Sequence, residues 1–134
     1  MAKNFHLDVI TPTETVFSGE VWHLRAPGAG GDFGVLADHA PMMAGLLPGR
    51  LRIDLPDMSF DYFAIGRGYF EVHGNSAVVL AGNCLRRDDI DIDRAQAARE
   101  RALQHLAKST DPREIEETRV ALEFALAQIK VAEG

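Results

Sequence analysis

Along the first two-thirds of the chain, apolar positions recur every second residue. Phe5, Leu7 and Val9 alternate with His6 and Asp8, which puts three apolar side chains on one face of an extended segment and the polar ones on the other. Comparable runs follow at Val21 to Ala26, Gly49 to Ile53, Phe60 to Ile65, Tyr69 to His73 and Ala77 to Ala81, separated by Gly, Pro, Asp and Asn. Leu55-Pro56-Asp57-Met58 and Gly74-Asn75 read as hairpin turns between them. Regular spacing of this kind predicts an antiparallel β-sandwich or barrel.

The period changes between Leu85 and Asp91. Ala95, Ala98, Ala102 and Leu106 recur at steps of three and four, which predicts a first helix capped by Asp91 or Asp93. Asp111-Pro112-Arg113-Glu114 starts a second helix, with Asp as cap, Pro at the first helical position and Glu three residues after the cap. Ile115, Leu122, Leu126 and Ile129 are expected to form its apolar stripe. Only a tight turn fits at Lys108 to Asp111, so the helices pack antiparallel. The fold class is therefore α+β: an antiparallel β-sandwich over residues 1–87, then an antiparallel helical hairpin over residues 88–134. Composition agrees, since every glycine but Gly134 lies between Gly19 and Gly82.

Charge and chemistry narrow the function. With 14 Lys+Arg against 20 Asp+Glu the net charge is −6, which argues against a nucleic-acid partner. No apolar run approaches the roughly 18 to 20 residues that cross a bilayer, and Met1-Ala2-Lys3-Asn4-Phe5 opens without the apolar core of a signal peptide, so a soluble, unprocessed protein is expected. The single Cys84 excludes an internal disulfide and fits a reducing compartment. His6, His23, His39, His73 and His105 make no metal-ligand spacing, so no metal is expected, and no serine sits in a nucleophile context. The cluster Gly28-Ala29-Gly30-Gly31-Asp32-Phe33-Gly34 lacks the ending of a phosphate loop and reads as a structural loop. Helix capping accounts for Asp88, Asp89, Asp91 and Asp93 better than calcium binding does.

Several segments, taken in order, are more specific. Phe5-His6-Leu7-Asp8-Val9-Ile10, Val16-Phe17-Ser18-Gly19, Gly31 to Met43, Pro48-Gly49, Gly66 to Val72, Val78 to Ala81 and Ile90-Asp91-Ile92-Asp93-Arg94-Ala95 together resemble the epsilon subunit of bacterial F-type ATP synthases. In that family the third segment usually reads Gly-Glu-Leu-Gly-Ile-Leu-Pro-Gly-His-Ala-Pro-Leu-Leu. Here Asp32 and Phe33 replace Glu-Leu, and Asp38 replaces a glycine, which bears on the local turn.

The resemblance implies a non-catalytic rotor subunit, peripheral on the cytoplasmic face of the bacterial membrane, in a proton- or sodium-driven synthase. It implies a sandwich that binds the gamma subunit and rests on the c-ring. It also implies helices that extend along gamma to the beta subunit and restrain ATP hydrolysis. Matching positions make Asp32, Phe33, His39, Pro41 and Met42 candidates for the rotor interface. Ile90, Asp91, Arg94 and Ala95 match the family's nucleotide signature, with Arg101 two turns further along the helix. Members that bind nucleotide carry an acid where this chain has Leu85 and arginines where it has Phe124 and Gln128, so ATP binding is expected to be weak and no other cofactor is expected. The second helix offers Arg113, Arg119 and Lys130 against Glu114, Glu116, Glu117, Glu123 and Glu133, so inhibition is expected to be modest. The alternatives are an ATP-sensing regulatory module and a free-standing adaptor.

Overall fold

A computed structural model describes residues 3–134; Met1 and Ala2, where the chain opens, lie outside them. Ten strands run in order: β1 (Phe5–Ile10), β2 (Thr15–Val21), β3 (His23–Gly28), β4 (Gly31–Leu36), β5 (Met42–Leu46), β6 (Gly49–Asp54), β7 (Phe60–Ile65), β8 (Gly68–His73), β9 (Ser76–Ala81) and β10 (Cys84–Arg86). Two helices follow, α1 (Ile92–Lys108) and α2 (Pro112–Glu133). The strands pair in the order β10-β7-β6-β3-β5-β8-β9-β1-β2, with β4 added on β3. Strands β3 and β5 meet only at Gly28 and Leu46, and there the ladder folds over on itself into two layers. Between the layers lies one core, led by Phe5, Leu7, Leu24, Leu51, Phe63 and Phe70, each no more than 1% exposed. These are the inward positions of alternating strands, as the period-two pattern requires.

The strands and α2 depart from the sequence expectations in four places. The run from Val21 to Ala26 is two strands: Val21 ends β2 in one layer and His23 opens β3 in the other, with the Trp22 N–H donating to the Asp54 carbonyl at 2.9 Å at the crossing. The pairing is not wholly antiparallel, because β1 lies parallel to β9, whose remoteness in sequence allows the long connection this needs. The glycine cluster is a hairpin, not a loop: Gly28 pairs with Gly31, Gly31 takes φ 121°, and a Cβ on Gly28 would fall 2.7 Å from the Phe33 ring. Finally, Leu126 is 47% exposed and outside the α2 stripe. The reason is that α2 packs on two partners: Ile115, Leu122, Ala125 and Ile129 share one face by spacing, while Phe124, Ala127 and Val131 turn to the sheet.

Both helix starts follow their local chemistry. Asp91 caps α1 by accepting from the Arg94 N–H at 3.1 Å, and Asp111 caps α2 by accepting from the Arg113 N–H at 2.9 Å with Pro112 behind it. Glu114 does not complete a capping box; its carboxylate instead accepts from the Ser109 hydroxyl at 3.1 Å, across the turn between the helices.

The hairpin docks on the outward face of β6 and β7 through a thin seam in which Ala64 meets Ala127 and Val131, flanked by Tyr62, Ile90 and Phe124. At the rim, Arg67 in the β7–β8 turn grips α2. Its Nε and second terminal nitrogen donate to the two Glu123 oxygens at 2.7 and 2.8 Å, and its other terminal nitrogen donates to Glu116 at 2.7 Å. These bonds hold the guanidinium more firmly protonated than usual. Elsewhere on this face, buried Asp54 accepts from His23 Nδ1 at 2.8 Å and from Arg52 at 3.0 Å. Burial pushes the Asp54 carboxyl up, but the hydrogen bonds from Arg52 and His23 outweigh it and hold the group below the usual carboxylate range.

A depressed carboxylate contributes stability that is complete above its unfolded value, about 3.9, and is lost as pH falls through the folded one. Asp54→Asn should therefore lower unfolding free energy at pH 7 by about 2 kcal/mol. The gap to the native chain should close in acid below about pH 4, as read by urea denaturation at both pH values. For the rim, Arg67→Gln, or high salt on the native chain, should speed amide exchange throughout α2 while the sandwich amides stay protected; equal exchange in both would remove the guanidinium from the docking.

Candidate functional site

The nucleotide signature residues come together. The start of α1, the facing side of α2 and the β9–β10 end of the sandwich enclose a cavity of about 560 Å3. Asp91, Arg94, Ala95 and Arg101 line it from α1, Phe124 and Gln128 from α2, and Glu14, Cys84 and Leu85 from the sandwich. Ile90 lies outside the lining and packs in the docking seam beside Tyr62 and Phe124. Asp91 is already engaged as the helix cap. Arg94 and Arg101 are exposed and, among the described residues, form no ion pair. Against these two cations stand Glu14, Asp89 and Asp91, so the lining carries a formal charge of −1. Burial pushes the Cys84 thiol up to about 12, with Glu14 adding to the effect, which leaves it protonated and unreactive at neutral pH.

The five interface candidates divide by place and direction. Asp32 is exposed near the tip of the β3–β4 hairpin. Phe33, the next residue, turns inward and packs on Phe70 with ring centroids 5.4 Å apart. His39 and Pro41 belong to the β4–β5 connection at the opposite end of β4, where His39 Nδ1 donates to the Ala40 carbonyl at 2.7 Å. Met42 is half-buried against the core, and its neighbour Met43 is 76% exposed. Asp38 stands where the family usually has glycine, and it keeps the left-handed turn with φ 65°. Its N–H donates to Asn75 Oδ1 at 2.6 Å, and its carboxylate accepts from Asn75 Nδ2 and Lys3 Nζ, both at 2.9 Å. A short polar residue tolerates that conformation when its side chain is bonded locally.

The sequence reading did not single out Tyr69 and Leu80, which sit directly opposite each other on β8 and β9 and are 67% and 48% exposed. Together with Met43 on the adjoining β5, they form an apolar area on the layer away from the helices. Alternation does signal it: Phe70 and Val72 point inward, so Tyr69 must point out.

Two family descriptions cover nearly the whole chain: "ATP synthase, Delta/Epsilon chain, beta-sandwich domain" matches residues 4–87, and the "long alpha-helix domain" of the same chain matches residues 88–133. The ATP synthase epsilon chain of Desulforamulus reducens is 40% identical over 133 residues, covering 99% of this chain and all of the relative. That of Nitratidesulfovibrio vulgaris is 39% identical over 131 residues, covering 98% and 97%. In fold, the chain superposes on one from the Euglena gracilis mitochondrial ATP synthase with a TM-score of 0.78 at 21% identity, over 98% of this chain and 82% of that one. A chain of the Tetrahymena thermophila central stalk gives a TM-score of 0.58 at 13% identity, over 95% and 98%. With both domains matched end to end and full-length relatives at this identity, the chain belongs to the ATP synthase epsilon chain family.

Proposed function

We propose that the chain is a rotor subunit of a proton- or sodium-translocating F-type ATP synthase, peripheral on the cytoplasmic face of the bacterial membrane and without chemistry of its own. The sandwich binds the gamma subunit and meets the c-ring, and the helical hairpin is a detachable arm that restrains ATP hydrolysis when it extends toward the beta subunit. The carrying observation is the contrast between the two domains: the sandwich closes on one continuous core that includes Phe5, Phe63 and Phe70, whereas the hairpin is held by the small cluster of Ala64, Ala127 and Val131, flanked by Tyr62, Ile90 and Phe124, and by surface ion pairs. The exposed area of Met43, Tyr69 and Leu80 supports a protein partner on the helix-free layer, and exposed Asp32 supports a polar contact at the hairpin tip.

For ATP, the cavity between the helices and the sandwich is large enough but poorly charged. Phe124 and Gln128 stand where arginines would grip phosphate, and three acids oppose two arginines. Each missing charge-assisted hydrogen bond removes about 1.5 to 3 kcal/mol. The signature therefore serves here chiefly as a helix start, with Asp91 capping and Ile90 packing.

The rotor reading is tested in the assembled synthase. A chain lacking residues 88–134 should still copurify with the gamma subunit, and deleting residues 111–134 alone should raise ATP hydrolysis by no more than about threefold, because α2 carries three cations against five glutamates and gains little from an acidic partner. Loss of gamma from the complex would overturn the assignment of binding to the sandwich, and a rise of orders of magnitude would overturn the modest restraint. For the signature, calorimetric titration of ATP should show any Arg94-dependent binding to be no tighter than about 1 mM. A micromolar constant abolished by Arg94→Ala would make the chain an ATP sensor.

A further inference from the structure

A second cleft, of about 460 Å3, lies on the outward face of β3 and β6, between the β3–β4 turn and the C-terminal part of α2. Its charge is opposite to that of the chain. Arg25, Arg50, Arg52 and Lys130 line it against a single acid, Asp32, in a protein whose net charge is −6. The strand register sets Arg25 directly across from Arg52, an unfavourable like-charge neighbour. Arg52 is partly neutralised by Asp54 and also donates to the Tyr62 hydroxyl at 3.2 Å. Arg25, Arg50 and Lys130 take no part in the ion pairs formed among the described residues. Arg50 is nevertheless positioned, because its guanidinium lies 4.5 Å from the centre of the Tyr62 ring, a contact that leaves its N–H groups available.

These features select a ligand class. The cleft is concave and of small-molecule size, which favours a compact anion over a flat protein surface. Three cations without carboxylate partners, two of them forked guanidiniums, suit tetrahedral oxyanions with several charges. The aromatic ring beside the cleft, Tyr62, already carries Arg50 and Arg87 against it at 4.5 and 5.6 Å, contacts that compete with stacking by a nucleobase. The −1 lining of the signature cavity repels the same anion.

We infer that this cleft is an oligophosphate site, in which a pyrophosphate unit, free or as the tail of a larger phosphate ester, is held between Arg25 and Arg50 of the sandwich and Lys130 of α2. Because Lys130 belongs to the hairpin and the arginines to the sandwich, the bound anion ties the two domains together. Binding and docking then support each other by mass action.

Calorimetric titration of inorganic pyrophosphate into the full chain at low salt tests this. Binding should saturate at one equivalent. It should weaken at least about tenfold in Arg25→Gln and in Arg50→Gln, and about threefold in Lys130→Gln. Arg94→Gln, in the other cavity, should bind as the native chain does. All four side chains tested are exposed, so the fold is retained, and circular dichroism verifies it. Pyrophosphate should also slow amide exchange in α2 of the native chain and fail to do so in Lys130→Gln. Equal affinity in the Arg25→Gln and Arg50→Gln variants, or loss in Arg94→Gln, overturns the site. Capture by phosphatidylglycerol vesicles without pyrophosphate binding overturns a soluble ligand in favour of a lipid phosphate, and equally tight binding of oligoglutamate overturns phosphate selectivity.

Discussion

The contact between Ala64 on β7 and the pair Ala127 and Val131 on α2 is the constraint on which the arrangement of this chain depends. Small side chains let the helix lie close to the sheet, but they bury little apolar surface. Val131 is the largest of the three, and burying a valine is worth about 1.5 to 3 kcal/mol. The rim pairs from Arg67 are exposed and therefore screened by salt. The signature cavity and the basic cleft each have one wall on each side of this seam. The signature cavity joins α1 and α2 to Glu14 and Leu85, and the basic cleft joins Lys130 to Arg25 and Arg50. When the seam opens, the signature cavity loses its helical walls and the basic cleft loses Lys130, so whatever binds in either is coupled to hairpin position.

The sandwich has no such weakness. Its ladder turns back at Gly28 and Leu46, and the inward residues of both layers interlock in one cluster that holds Phe5, Phe63 and Phe70. In the proposed rotor role, a domain with that core persists while the hairpin leaves it. This separation is what a rotor foot with a movable arm requires, because the part that transmits torque and the part that changes conformation cannot share one core. The helix-free layer offers Tyr69 and Leu80 as fixed points for a partner, supported from beneath by Phe70 and Val79 on the same two strands.

How much of this could be read in the sequence depends on what encoded it. Strands β1, β6, β7, β8 and β9 announce themselves by alternation, and Asp91, Asp111 and Pro112 by capping chemistry, because these are local signals. Strands β4 and β5 were hidden: the first begins in a glycine cluster, and Ala44-Gly45 gives the second no apolar contrast. The direction of Phe33 and Met42 follows from those unseen strands, so two interface candidates turned out to face inward. The signature residues are visible as a motif, yet their cavity is not, since nearly half its wall comes from Thr11, Thr13 and Glu14 and from Gly82 to Leu85. The basic cleft was the least legible element. Arg25, Arg50 and Arg52 look like ordinary outward positions of strands, and only the β3–β6 register and the docking of α2 bring them beside Lys130.

In the proposed function, charge links the docked and released states of the arm. In the docked state Arg67 covers Glu116 and Glu123, two of the five glutamates on α2, and Arg119 lies 3.7 Å from Glu116 as well. Leaving the sandwich uncovers those carboxylates, so the released helix is more acidic than the docked one, while the basic face of β3 and β6 stays behind. An arm that becomes more negative on release gains little from approaching an acidic surface. Its docked state is favoured by Arg67 at one end, while at the other the like-charged Arg25, Arg50 and Arg52 beside Lys130 favour docking only with the proposed anion between them. The charge of α2 in the sequence argues for weak restraint by that helix, and the geometry adds that release frees the two glutamates Arg67 pairs with, Glu116 and Glu123.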